Sequence, residues 1–150
     1  MVKSGLILGV VALIFTTLAT LISPICTPCL AFFIGLFAGY LGGILEKPHN
    51  EGSSAKVGAV AGVISGVGAI IGQIIGAVIN ANIVGPEGVM NMLQQLNIPA
   101  SSDVVNYYTP IVYGSAFCIG VFNLVIMAGL GALGGLLWLQ INGRKNRAAY

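Results

Sequence analysis

From Val57 to Val84 the chain runs without one charged side chain, and three other stretches are equally bare of charge. No other feature constrains the fold as strongly. A soluble domain keeps about a quarter of its residues charged to cover its surface, yet here only 7% are charged and 57% are hydrophobic. Such a chain has too little polar surface to face water over most of its area. The expected solvent is a lipid bilayer.

Crossing about 30 Å of hydrocarbon takes roughly 20 apolar residues in a helix. Four spans are therefore expected, at residues 4–23, 29–45, 57–84 and 110–141. A tight turn at 24–28 joins the first two, a loop at 46–56 the second and third, and a longer connection at 85–109 the third and fourth. A basic tail follows at 142–150. The expectation is a single all-α polytopic membrane domain, a four-transmembrane-helix bundle. The fourth stretch is longer than one bilayer requires and should tilt or project beyond it.

The basic residues orient that map. Lys3, Lys47, Lys56, Arg144, Lys145 and Arg147 all fall on one side, while the segments on the other side carry only Glu87 and Asp103. The positive-inside rule then puts both termini and the loop at 46–56 in the cytoplasm of what reads as a prokaryotic inner or plasma membrane. Tyr107, Tyr108 and Tyr113 would lie at the outer interface and Trp138 near the inner one, as an aromatic belt does. The first span is not expected to be a signal peptide. No A-x-A-like site follows it, and "ISPIC" is a poor lipoprotein cleavage sequence.

Glycine supplies the clearest pattern. The chain has 22 glycines, clustered inside the apolar runs. The second span steps through Ala31, Gly35, Gly39 and Gly43, and the third carries two GxxxG series, Gly58-Gly62-Gly66 and Gly68-Gly72-Gly76. At about 100° per residue these six glycines share one half of the third helix with Ala61, Ser65, Ala69, Gln73 and Asn80. The other half is β-branched: Val57, Val60, Val63, Ile64, Val67, Ile70, Ile71, Ile74, Ile75 and Val78. Lipid tails are as apolar as isoleucine, so helices in a bilayer associate through close backbone approach, which only small residues permit. Glycine-zipper packing is the expectation, against neighbouring spans or against other subunits. In the outer connection Val89, Met92, Leu93 and Leu96 recur at helical spacing among polar residues, as in a short amphipathic helix lying on the membrane.

Groups with chemical potential are few. Cys26 and Cys29 form a CxxC at the turn before the second span, where a helix N-terminus lowers a thiol pKa. The C-x-P-C order resembles the thioredoxin-type motif over four residues only, with no βαβ unit around it. On the oxidising side the pair would more naturally lock a hinge as a disulfide. Gln73, Asn80 and Asn123 are intramembrane polar residues, each a candidate interhelical hydrogen bond or pore lining. No Asp, Glu, Lys, Arg or His lies mid-span, which argues against a proton-coupled carrier. No catalytic residue, metal site or cofactor is expected. His49 is alone in the loop, and "GRKNR" suits anionic headgroups with no nucleic-acid partner. The function expected is a small non-catalytic membrane subunit, packed into a larger complex (an energy-transducing one among the hosts it would suit) or into a homo-oligomer. A thiol–disulfide protein using Cys26 and Cys29 and a passive small-solute pore are the alternatives.

Overall fold

A computed structural model describes residues 2–22, 27–83, 85–95, 97 and 103–147. Among these the chain is helical with no strand: α1 Val2–Ile22, α2 Thr27–Glu46, α3 Glu51–Ile83, α4 Gly85–Gln95 and α5 Asp103–Arg147. Four segments are long and apolar enough to cross a membrane: Lys3–Leu21, Thr27–Glu46, Glu51–Ile83 and Asn106–Asn142.

Local chemistry sets the helix ends. α2 stops where Lys47 adopts φ 45°, its N–H donating to Gly43 O at 2.9 Å; Pro48 follows and cannot continue the helix. Three residues later Asn50 caps α3, its Oδ1 accepting from Ser53 N–H at 2.8 Å, and Glu51 lies in the first turn, where the helix dipole favours an anion. α3 therefore begins six residues before Val57, the start of the uncharged stretch. Beyond its other end α4 opens on Gly85, at φ +59°.

α4 covers Val89, Met92 and Leu93 of the amphipathic stretch anticipated in the connection, Leu96 lying outside the described residues, and packs lightly on α3 and α5. α5 has 45 residues, about 68 Å at 1.5 Å per residue, with Pro110 inside it.

The four long helices form a rhombus. α3 packs on α5, α1 and α2, α2 packs on α5, and α1 meets α2, while α1 and α5 do not touch among the described residues. Facing positions give the directions. Gly5, Gly9 and Gly72 pair α1 with α3 in parallel, since their partners are Ile64, Ser65 and Leu13–Thr16; Gly35, Gly39 and Gly43 face Met127, Gly131 and Trp138, so α2 and α5 are also parallel. Gly58, Gly62 and Gly66 face Gly131, Met127 and Leu124, which makes α3 and α5 antiparallel.

The distribution of side-chain size inverts that of a water-soluble protein. The buried hydrophobic positions are mostly alanines, Ala12, Ala31, Ala38, Ala61, Ala69 and Ala77 among them, joined by the buried hydroxyls of Ser4, Thr16, Ser54 and Ser65. Large apolar side chains point outward from all four long helices: Leu6, Phe15, Phe33, Phe37, Val67, Ile71, Phe117 and Phe122 are all close to or above half exposed.

Two side chains depart from the sequence expectation. Val57 belongs to the β-branched half of α3 yet is buried, its Cγ1 lying 3.2 Å from where a Cβ on Gly42 would sit. Trp138 is 7% exposed rather than set in an outward belt. Gly43 leaves the space that its indole fills.

Candidate functional site

The glycine faces bring backbones together at named points. At Gly39 and at Gly58 a Cβ would collide with the carbonyl oxygen of Gly131, and a Cβ on Gly131 would collide with Gly58 O. Three helices, α2, α3 and α5, thus converge on one residue. Gly62 lies on the Met127 carbonyl, Gly66 has Leu124 Cα 3.1 Å from its Cβ position, and Gly35 has Met127 Cα at 2.9 Å.

The second series on α3 turns the other way. Gly68 faces the Gly9 carbonyl, Gly72 faces Thr16 and the Leu13 carbonyl, and Gly76 has Thr20 Cβ at 2.7 Å. The two series start ten residues apart, which is about 80° around a helix. One face meets α5 and the other meets α1.

Hydroxyls reinforce these contacts. Ser54 Oγ donates to Gly135 O at 2.6 Å, across α3 and α5. Thr17 Oγ1 has Gly72 O at 3.1 Å across α1 and α3, and its own Leu13 O at 2.8 Å. Thr16 Oγ1 has Ala12 O at 2.7 Å and Ala69 O at 3.3 Å. A hydroxyl has one proton, so the shorter, intrahelical bond takes it and the cross-helix approach is secondary.

The three polar side chains singled out from sequence do not form one line. Asn123 is fully buried, on the same stripe of α5 as Gly120 and Met127, and neither Nδ2 nor Oδ1 has a hydrogen-bond partner. Gln73 is 2% exposed, and its Oε1 also has none. That oxygen lies 2.9 Å from the Cβ position of Gly120. Asn80 is half-buried, two turns further along α3.

Gln73 and Asn80 line a cavity of about 120 Å³ that Asn123 does not reach. Its polar wall is Thr20, Thr27, Gln73, Asn80, Tyr108 and Ser115, contributed by α1, α2, α3 and α5. The rest of the lining is apolar, from Ala77 on α3 and Val112, Ala116 and Ile119 on α5. Sequence reasoning found two of these residues as intramembrane amides. It had no means to find the cavity, which arises where the buried stripe of α5 ends at Gly120.

The thiols stand apart. Cys29, in the first turn of α2, and Cys118, on α5, are exposed free cysteines. Cys26, and with it the proposed CxxC pairing, lies outside the described residues. Among the described residues no three of His, Cys, Asp and Glu gather as a metal site would require. His49 is exposed in the α2–α3 connection. No family model matches the chain, and neither a curated protein nor a solved structure does.

Proposed function

We propose that the chain is a small, non-catalytic integral membrane subunit, embedded by α1, α2, α3 and α5 and joined through helix faces to a larger membrane complex or to copies of itself. The observation that carries this reading is the inverted packing: alanine, glycine, serine and threonine inside, with leucine, isoleucine, valine and phenylalanine outside. Only an apolar solvent tolerates that exterior, since a water-soluble monomer rarely leaves apolar patches larger than a few hundred Å². Within such a solvent, glycine-zipper contacts supply the association that hydrophobicity cannot.

The subunit role rests on α5. No residue of described burial between Asn106 and Ile119 is fully buried, so over about 20 Å, at 1.5 Å per residue, this helix faces its neighbours across the cavity and leaves Tyr107, Ile111 and Phe117 exposed. Gly114 and Gly129 have nothing within 4 Å of their Cβ positions, unlike the glycines that face α2 and α3. A partner packing along this side would use both. The arrangement of Lys and Arg supports termini in the cytoplasm of a prokaryotic plasma membrane.

Mild detergent extraction from native membranes, followed by affinity purification and size measurement with the detergent mass subtracted, tests the proposal. A stable assembly, of this chain with itself or with other membrane proteins, is expected. A monomer that stays folded with nothing bound would overturn it.

A further inference from the structure

We propose that the cavity between α1, α2, α3 and α5 binds a neutral membrane amphiphile whose head is no larger than a six-membered ring and carries a hydroxyl. The hydroxyl donates to Gln73 Oε1. Three observations lead there. The first is the orphaned acceptor: Gln73 is 2% exposed, lines the cavity, and its Oε1 has no partner. A buried carbonyl oxygen left without a donor is costly, more so where no water competes. Here Oε1 lies against Gly120 with almost no accessible surface; a half-turn of the Gln73 amide brings it to the cavity, where the missing partner must bring an O–H or N–H.

The second observation is size. A cavity of roughly 150 Å³ with apolar walls accepts benzene, and this one is smaller, about 120 Å³, which limits the head group to that of a small alcohol. From Gln73 to Asn80 is seven residues, about 10 Å along the helix, so the site is deep enough for a head group and the start of a chain.

The third is the character of the wall. No Lys, Arg, His, Asp or Glu lines the cavity among the described residues, so a phosphate, carboxylate or ammonium would be desolvated without a counter-charge. Hydroxyls and amides sit at Thr20, Gln73, Asn80 and Ser115, while Ala77, Val112, Ala116 and Ile119 form an apolar strip. Polar groups of both kinds beside an apolar strip fit an uncharged amphiphile. They suit neither an ion nor a pure hydrocarbon.

The test uses a hexadecanol carrying a diazirine close to its hydroxyl, in phosphatidylcholine vesicles holding the full-length protein. Its methyl ether and the matching fatty acid, with the same diazirine, serve as comparisons. Photolabelling by the alcohol should saturate and map to residues 73–80 and 108–119. The ether, lacking the donor, should label these segments about tenfold more weakly, and the fatty acid should be excluded likewise. Gln73→Leu should reduce alcohol labelling to the level of the ether. Ala116→Phe, at a half-buried position on the apolar strip, should abolish labelling by filling the cavity. If Gln73→Leu fails to fold, judged by the emission of the single tryptophan, Ala116→Phe decides. Equal labelling by alcohol and ether, labelling that does not saturate, labelling unchanged by Ala116→Phe, or a cavity holding water alone would each overturn the proposal.

Discussion

Replacing Gly39 by alanine adds one methyl group at the point where α2, α3 and α5 converge. The new Cβ would collide with Gly131 O and lie 2.6 Å from Gly131 C and 2.9 Å from Gly131 Cα. All three are backbone atoms, so no rotamer change relieves the overlap. Ordinary contact begins at 3.4 Å, so α2 and α5 must separate by at least 0.8 Å, the difference between 3.4 and 2.6 Å. A gap of about 0.5–1 Å forfeits a quarter to a half of the dispersion well of every contact it opens. Overpacking of this kind costs about 1–3 kcal/mol, and backbone against backbone belongs at the upper end. Alanine regains about 1 kcal/mol of helix propensity, leaving Gly39→Ala destabilising by about 2 kcal/mol. Gly52→Ala is the matched control, since nothing lies within 4 Å of that Cβ position in α3; only the propensity term acts there, and the variant should be stabilised by up to about 1 kcal/mol. Unfolding by increasing SDS fraction in maltoside micelles, followed by Trp138 emission, measures both. Equal shifts for the two variants, or Gly52→Ala the less stable, would refute the close-approach argument.

Three further outcomes are expected. Gly43→Ala places its methyl 2.6–2.8 Å from Trp138 Cγ, Cβ and Cδ2, and so should push the indole out of its buried site and shift its emission to the red; an unchanged spectrum would contradict the packing. Ser54→Ala removes the donor to Gly135 O and should cost about 1 kcal/mol in the same SDS titration, whereas Ser115→Ala, at an exposed position on α5, should change stability by less than about 0.5 kcal/mol; equal losses would remove the Ser54 bond from the account. In a cysteine-free background, a cysteine at Ser53 should react with a membrane-impermeant maleimide only after permeabilisation, and one at Asn91 should react in intact cells. The opposite result would invert the proposed orientation.

The elements were legible in the sequence because each signal is local. Uncharged length marks the four long helices, and a small residue every fourth position marks a face without requiring knowledge of the neighbour. What that periodicity omits is which neighbour. Gly58-Gly62-Gly66 and Gly68-Gly72-Gly76 share one half of α3, yet the first series meets α5 and the second meets α1. Resolving an offset of about 80° into two partners requires the positions of the other helices. The burial of Val57 and Trp138 escapes the sequence for the same reason. Each is large and apolar, and each is buried because a glycine on α2, Gly42 or Gly43, leaves room opposite it.

The candidate site was least legible because it depends on a break in this pattern. Along α5 the buried positions run from Trp138 through Gly135, Gly131, Met127 and Asn123 to Gly120, and then stop. Beyond Gly120 the helix presents Ala116, Val112 and Tyr108 toward α3 across a gap instead of against it. Gln73 stands at that boundary, its Oε1 against Gly120 and its side chain among those that line the cavity. Glycine contact closes the bundle below this level, so Gln73 and Asn80 lie on a cavity confined to one end of it. Asn123, one turn past the boundary, lies within the packed core. The sequence groups Gln73, Asn80 and Asn123 as one class, each an interhelical hydrogen bond or together a pore lining. Their positions instead divide them by whether α5 has met α3 at their level, and that division links the glycine contacts to the site: the last α3–α5 glycine contact forms the floor on which a ligand would rest.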